Sequence, residues 1–397
     1  MPLDVAGAKR PPSPTNDAPT QRVRLDRKDV SIALEYQRHI QRVTAFVVVS
    51  TTWALDTPLP CHVLQKENDT ILHFSHASLE DIYIRTPWPI LLGTYTAAWS
   101  DGYVLTMPTA AASRMPPIIV STPWLALQEP VYGLACGSCG ADVVRFAGPS
   151  QLRALPSEGW EELVDAWMCH GDQRLNVSVA RGREDVDMHR IPAEDEVWVG
   201  TMLLKTSNAP LVPGAIDVGE TTWTLQEDTY PLTCHACHVT LGTAWQKEAQ
   251  QPTALHWLPC SVVASQPSSL PASFWACVLT NYLIEQTERQ AVHHFLVCDM
   301  EAPSHPPCLL LWVFQPCLAI ALPPRHTPVY ATKLLYQRVA TTPSIPHAVL
   351  TLPRHLCHAL ADALPASASI YPAARRALGE WHVGWLPRSW DENIVAT

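Results

Sequence analysis

Apolar side chains alternate with other residues over several short stretches in the first third of the chain. The alternation is clearest at Val43, Ala45, Val47 and Val49. β-branched runs return at residues 82–84 and 118–120, with turn-forming residues between them. Because a period of two places alternate side chains on one face of a strand, residues 29–130 are predicted to form a β-rich N-terminal region.

In the middle of the chain the apolar spacing changes to that of a helix over residues 158–170. The apolar face of this predicted helix consists of Trp160, Leu163, Val164, Trp167 and Met168. Apolar residues at these intervals lie on one side of a helix with 3.6 residues per turn. Cys169 and His170 would then lie at its C-terminal end.

In the last third of the chain, some segments show the apolar spacing of a helix and others that of a strand. Helices are predicted at residues 273–289 and 355–364, and two strands at 294–298 and 308–322 lie between them. Residues 251–397 are therefore predicted to form a smaller α+β C-terminal lobe.

Proline is frequent, with 37 prolines against 16 glycines. This balance argues against long helical bundles and against glycine-rich nucleotide-binding loops. Hydrophobic residues make up 47% of the chain and charged residues 16%, which is typical of a globular protein. Residues 1–28 differ because they collect proline, serine, threonine and basic residues, so we predict a disordered tail there. The short basic segments of this tail have two interpretations: a nuclear import signal, or solvent-exposed charges without a specific role.

The formal net charge of −10 gives no global attraction to nucleic acid or to anionic lipid. We therefore expect protein partners, no direct contact with nucleic acid and no membrane association. The N-terminal sequence lacks the apolar segment of a secretory signal. The longest apolar run, residues 308–322, is shorter than the roughly 20 residues that cross a bilayer. These features predict an intracellular protein, located in the cytoplasm and the nucleus.

Two Cys-x-x-Cys pairs carry the strongest chemical signal. The first pair is Cys136 and Cys139, and the second is Cys234 and Cys237. A two-residue spacing turns both thiolates of a pair toward one ion, and two pairs complete the tetrahedron of a structural zinc site. We therefore predict a structural Zn²⁺ held by these four cysteines, cross-linking two hairpins of a central zinc-binding region, residues 131–250.

Two alternatives stay open for these pairs. A thioredoxin-like redox pair needs a βαβ context with a helix starting at the motif, which the apolar pattern does not indicate. Alternatively, His235 or His238 replaces a thiolate, or Cys169 and His170 join a separate site with one of them. The sequence contains no P-loop, zinc-protease or α/β-hydrolase motif.

A further cysteine, Cys357, lies on the predicted helix in the sequence LTLPRHLCHALADALP. Apolar residues follow it at helical spacing, which favours a small hydrophobic residue on a buried helix face. The alternative is a nucleophilic thiol whose pKa is lowered by His355 or His358. The cysteines predicted to be core residues are Cys61, Cys260, Cys277, Cys298, Cys308 and Cys317.

Several longer segments carry a family likeness. They are CGSCG at 136–140, LPSEGWEELVDAWMCH at 155–170, DEVWVG at 195–200, LTCHACHVTLG at 232–242, LLLWVFQPCLAIA, ATKLLYQ at 331–337 and LTLPRHLC at 350–357. Together these segments resemble the HECT-like ubiquitin-conjugating-enzyme-binding family over most of residues 30–365.

The resemblance implies a ubiquitin-protein ligase that binds a ubiquitin-conjugating enzyme and passes ubiquitin to a substrate protein. Cyclin is a candidate substrate by the same resemblance. Cys357 occupies a position similar to the ubiquitin-accepting cysteine of HECT ligases, although Leu356 stands where threonine is expected. By this likeness Cys357 is the thioester acceptor.

The same resemblance implies an alternative function and a fold. Fungal members of the family resemble accessory factors of messenger-RNA 3′-end processing. On that likeness the protein is a non-catalytic, zinc-stabilised assembly factor for the cleavage and polyadenylation machinery. The second Cys-x-x-Cys segment also looks like the zinc-binding half of β-tent domains, in which two hairpins hold one zinc between two sheets. The expected fold class is therefore α+β, with a β-rich, β-tent-like region before the C-terminal lobe.

Overall fold

The fold is described from a computed structural model. It covers residues 27–49, 58–76, 79–97, 102–110, 122–127, 129–155, 191–219, 229–245, 254–265, 270, 273–302 and 308–389. The predicted strand at 118–120 and the predicted helix at 158–170, with Cys169 and His170, lie outside these residues. So does most of the predicted disordered tail, residues 1–26.

The largest sheet joins strands from both ends of the chain. Its nine strands are β1 (Val30–Gln37), β2 (Arg42–Val49), β7 (Tyr103–Pro108), β18 (His294–Asp299), β19 (Leu309–Ala321), β20 (Pro328–Arg338), β21 (Ala348–Leu352), β22 (Ala377–Leu378) and β23 (Trp381–Pro387). The order is β22-β23-β20-β19-β1-β2-β7, with β18 beside β19 and β21 beside β18. Strand β19 pairs through its second half with β1, where Ala321 faces Leu34. Its first half pairs with β18, where Trp312 faces His294.

A four-stranded sheet covers one part of this large sheet. Its strands are β3 (Leu59–Lys66), β4 (Asp69–His76), β5 (Leu79–Thr86) and β6 (Gly93–Ala97), in the order β5-β4-β3-β6. The alternation predicted for β2 is confirmed, because Val43, Ala45 and Val47 all point into the shared core. Trp88 stacks on Tyr36 of β1 in the same core, with ring centroids 5.4 Å apart.

Two further sheets lie in the middle of the chain. The three-stranded sheet consists of β8 (Gly133–Cys136), β9 (Asp142–Arg145) and β17 (Val262–Ala264). The seven-stranded sheet consists of β10 (Gln151–Ala154), β11 (Glu196–Val199), β12 (Leu204–Ser207), β13 (Ile216–Val218), β14 (Thr229–Cys234), β15 (Thr240–Trp245) and β16 (Ala254–Trp257). Both sheets contribute to one apolar cluster with the C-terminal elements, so the central sheets pack against the C-terminal part of the fold.

Two α-helices are present among the described residues: α1 (Phe274–Gln290) and α2 (Arg354–Ser367). Both helices predicted in the C-terminal lobe, and the two strands predicted between them, are confirmed within a few residues of their expected bounds. Strands β20 and β21, which also lie between these helices, were not predicted. The described chain is mostly β, with a curled half-barrel sheet and few helices. The β-rich character expected from the sequence is therefore confirmed. The division into three regions stays a prediction, and the β1–β19 pairing crosses the boundaries drawn for it.

Neither described helix is long and apolar enough to cross a membrane.

A buried ion pair ties the two ends of the chain together within the large sheet. Lys333 of β20 places its Nζ 2.7 Å from both carboxylate oxygens of Glu35 on β1. The Glu35 side chain is 1% exposed, and the hydroxyl of Tyr371 donates a hydrogen bond to it at 3.2 Å. The pKa of the Tyr371 hydroxyl is raised well above its ordinary value. Burial is the main cause, and the neighbouring Glu35 carboxylate adds to it. Each buried charge therefore depends on its partners in the other half of the chain.

The substitution Lys333→Met tests this dependence. It leaves the Glu35 carboxylate buried without its cation, so we expect the free energy of unfolding to fall by about 3–5 kcal/mol. Urea unfolding measures the change. The matched control is Arg85→Met, which breaks the exposed pair of Arg85 with Asp69 and should cost less than about 1 kcal/mol. Equal losses in the two variants would contradict a structural role for the buried pair.

Candidate metal centre and a C-terminal thiol cluster

The first Cys-x-x-Cys pair lies at the tip of the β8–β9 hairpin. Cys136 is the last residue of β8, and its backbone N–H donates to the carbonyl of Ala141 at 2.8 Å. Its own carbonyl accepts a hydrogen bond from Gly140 at 2.8 Å. Gly140 has a φ of 75°, a left-handed conformation that glycine adopts without steric cost. The turn thereby brings Cys139 back toward Cys136.

The second pair repeats this backbone pattern at the tip of the β14–β15 hairpin. Cys234 ends β14, and its N–H donates to the carbonyl of Val239 at 2.9 Å. The Cys234 carbonyl accepts from His238 at 2.7 Å, and His238 has the left-handed φ of 60°. The two hairpins therefore present their cysteines through the same local geometry, although their sequences share little beyond the Cys-x-x-Cys spacing.

The two hairpin tips meet, and the four sulfur atoms form one cluster. The Sγ atoms of Cys136 and Cys237 are 3.6 Å apart, as are those of Cys139 and Cys234. All four Sγ atoms lie within 4.8 Å of one another. A tetrahedral ion with Zn–S bonds of about 2.3 Å requires sulfur separations of about 3.8 Å. The donor set and its spacing therefore fit one tetrahedral thiolate-bound metal ion, and it is the only such group of ligands among the described residues.

The cluster sits at the junction of two sheets and is covered from one side. Cys136 and Cys234 are fully buried, Cys237 is half-buried, and Cys139 is exposed. Chiefly through burial, the pKa of the Cys136 thiol is raised above its ordinary value. A bound divalent cation reverses that preference, because a coordinating thiol is deprotonated. The cysteines come from different sheets, so an ion held here would cross-link them.

The neighbouring histidines face a carboxylate. Nδ1 of His235 lies 3.0 Å from the Asp217 carboxylate, and Nδ1 of His238 lies 4.0 Å from it. Both histidines are exposed. Within the described residues, the group that can hold a metal ion contains the four thiols and neither histidine.

The candidate nucleophile Cys357 lies in the first turns of α2, and its side chain is 3% exposed. Its sulfur contacts the carbonyl oxygens of Leu352 at 3.6 Å and of Cys298 at 3.9 Å. A hydrogen bond to Cys308 and burial raise the pKa of Cys357 above its ordinary value. The pKa of His355 is lowered, chiefly by burial, and its Nδ1 is buried without a hydrogen-bond partner. In this conformation Cys357 is a buried thiol whose raised pKa disfavours the thiolate.

Cys308, which the sequence pattern places in the core, is half-buried. The hydrogen bond with Cys357 is the main cause that lowers the pKa of Cys308, to about 7. Sequence reasoning missed this effect of Cys357 on the Cys308 pKa because residues 308 and 357 lie on different elements. Apolar spacing carries no signal for it, because it does not encode which elements become neighbours.

Comparison with protein-family models finds a match over most of the chain. The family model described as HECT-like ubiquitin-conjugating enzyme (E2)-binding matches residues 22–383. No solved structure matches the chain.

Curated relatives are distant. An uncharacterised protein of Schizosaccharomyces pombe is 22% identical over 288 residues, which cover 68% of this chain and 78% of the relative. A second, from Saccharomyces cerevisiae, is 24% identical over 262 residues, or 64% of this chain and 68% of the relative. An E3 ubiquitin-protein ligase of Mus musculus is 24% identical over 219 residues, or 54% of this chain and 52% of the ligase.

Proposed function

The chain belongs to the HECT-like ubiquitin-conjugating enzyme (E2)-binding family, and from that membership we propose that it binds a ubiquitin-charged conjugating enzyme and promotes transfer of ubiquitin to a protein substrate. The observation that carries this proposal is the extent of the family match, residues 22–383, which includes both Cys-x-x-Cys hairpins and the C-terminal thiols. The similarity to a mouse E3 ubiquitin-protein ligase supports the same activity.

We also propose that the four-cysteine cluster holds a structural Zn²⁺. The support is the chemistry of the donors: among the described residues, the group consists of four thiols near tetrahedral spacing and includes no carboxylate and no imidazole. Closed four-thiolate sites are structural, since catalytic zinc keeps an open position. Two hairpins from separate sheets closing on one ion are also what the β-tent comparison leads one to expect. In this role the ion stabilises the central region, and the chain's own surfaces bind the partners.

Transfer of ubiquitin can follow two routes, which differ in the role of Cys357. In the covalent route, the Cys357 thiolate attacks the thioester carbonyl, the conjugating enzyme's cysteine leaves as a thiolate, and a substrate lysine then attacks the new thioester. This route needs Cys357 uncovered and deprotonated, whereas the thiol is buried and its pKa is raised. In the direct route, the chain positions the charged enzyme and the lysine attacks it without an intermediate on this protein. The observed burial favours the direct route, and the Cys357 thioester stays a prediction.

The assembly-factor alternative, with cleavage and polyadenylation subunits as partners, also stays a prediction, as does cyclin as the substrate. Both rest on the sequence resemblance. The two fungal proteins that match this chain carry no functional description that would support the alternative.

A single-turnover discharge assay tests the ligase proposal. Ubiquitin-charged conjugating enzymes are mixed with the full chain and free lysine, and non-reducing gels are run beside reducing ones. We expect at least one conjugating enzyme to discharge faster, because positioning of the thioester lowers the barrier to attack. The variant Cys357→Ala should keep that rate on the direct route. A thiol-sensitive ubiquitin adduct that disappears in Cys357→Ala would establish the covalent route instead, and no acceleration by any enzyme of a broad panel would overturn the ligase proposal.

Metal analysis with matched cysteine variants tests the zinc proposal. We expect about one zinc per chain in the wild type, and loss of zinc with a lower melting temperature in Cys136→Ala, because structural zinc contributes folding free energy. Cys61→Ala is the control: Cys61 is as fully buried as Cys136 but lies in β3, outside the cluster. It should keep its zinc. Wild-type protein purified without chelators and found free of stoichiometric zinc would contradict the proposal.

A further inference from the structure

We propose that Glu301 is a positioning residue that connects the start of α2 to the β14–β15 hairpin and thereby keeps Cys357 covered. Glu301 lies just after β18, in the turn that follows Asp299. The proposal goes beyond ubiquitin transfer, because it concerns access to the Cys357 thiol in the free protein. A failure of the ligase assay would therefore leave it untouched.

Glu301 is joined to the hairpin that carries Cys234 and Cys237. Oγ1 of Thr240, the first residue of β15, donates a hydrogen bond to Oε1 of Glu301 at 2.8 Å. Thr240 is 1% exposed, so this contact is buried on the hairpin side. The preceding residue, Val239, accepts the hydrogen bond from the Cys234 N–H. The Glu301 carboxylate is therefore attached to the turn that presents the thiols.

Glu301 and Asp299 together hold the first residue of α2, Arg354. Nε of Arg354 lies 2.9 Å from Oδ2 of Asp299 and 3.9 Å from Oε2 of Glu301. The other Asp299 oxygen, Oδ1, accepts a hydrogen bond from the Glu301 backbone N–H at 2.8 Å. One guanidinium is thus shared by two carboxylates, and the hydrogen bond between their residues holds the two in register.

Cys357 lies one turn after Arg354, against the ends of two strands. Its sulfur is 3.6 Å from the carbonyl oxygen of Leu352, the last residue of β21, and 3.9 Å from that of Cys298 in β18. The Met300 N–H donates to the same Leu352 carbonyl at 2.9 Å, which joins the two strand ends. Movement of the start of α2 away from these strand ends would uncover the sulfur. The Arg354 ion pair opposes that movement.

The Thr240 hydrogen bond matters for this cover because its acceptor is charged. A hydrogen bond to a charged group contributes more than one between neutral groups. Without the Thr240 hydroxyl, the Glu301 carboxylate loses a buried donor and can turn away from Arg354 toward water. The population of conformations in which the start of α2 opens locally should then rise, while the rest of the fold stays closed.

Alkylation of Cys357 in the full chain tests the proposal. A buried thiol reacts with iodoacetamide only while it is transiently open, so its labelling rate reports the population of the open form. In Thr240→Val we expect Cys357 to be labelled about tenfold faster than in the wild type, because the hydrogen bond to the carboxylate is lost. Thr240→Ser keeps the hydroxyl and should stay near the wild-type rate. Peptide mass spectrometry measures both.

Three controls separate local opening from a general loss of stability. Thr243→Val changes another threonine of β15, outside the contacts of Glu301, and should leave the labelling of Cys357 unchanged. Cys277 of α1 is fully buried and should keep its own labelling rate in Thr240→Val. Low urea concentrations should hardly change the additional labelling of Cys357, because local opening exposes little surface.

Arg354→Met is a second variant, which keeps the proposal testable if Thr240→Val does not fold. The Arg354 side chain is half-exposed, and its loss should also accelerate the labelling of Cys357. An unchanged Cys357 rate in Arg354→Met and in folded Thr240→Val would overturn the proposal. Equal acceleration of Cys357 and Cys277 would overturn it as well, because the variants would then act on the whole fold.

Discussion

Much of the central region depends on two hairpin tips that meet from separate sheets. Each tip holds a fully buried cysteine, Cys136 in one and Cys234 in the other, and a turn with a left-handed residue brings a second thiol beside it. Four thiols within 4.8 Å gain little from one another, because thiols form only weak hydrogen bonds. As thiolates they repel one another unless a cation lies among them. The proposed zinc would convert this junction into a cross-link between distant parts of the chain.

The large sheet gives the site its wider context. Strand β19 pairs with β1, near the N-terminus, and with β18, in the last third of the chain. The buried ion pair between Glu35 and Lys333 stabilises the same sheet. The C-terminal thiols therefore lie at the end of a sheet that begins near the N-terminus, and the central sheets pack on the same core. Cys357, on α2, is buried where this helix packs in the same core.

Local features could be read from the sequence, whereas long-range ones could not. The alternation through Val43 and Val47 and the helical spacing over α1 are local patterns, so the element types could be predicted from neighbouring residues alone. The structure buries more than the one face that these patterns indicate, including Phe46 in β2 and most of α1. The Cys-x-x-Cys pairs were predictive because two-residue spacing and a tight turn already orient both thiols. The β1–β19 pairing and the Glu35–Lys333 ion pair join residues far apart in sequence, and apolar periodicity does not encode which strand is the neighbour. Cys308 was therefore assigned to the core from its apolar flanks alone.

X-ray absorption at the zinc edge, on the full chain purified without added metal, tests the proposed cross-link most directly. The account predicts a first shell of four sulfur atoms at about 2.3 Å, with no nitrogen or oxygen scatterer, because the four cysteines complete the tetrahedron. A shell that includes imidazole nitrogen would assign His235 or His238 to the metal and contradict the four-thiolate site. An absorption edge too weak for one zinc per chain would remove the cross-link altogether.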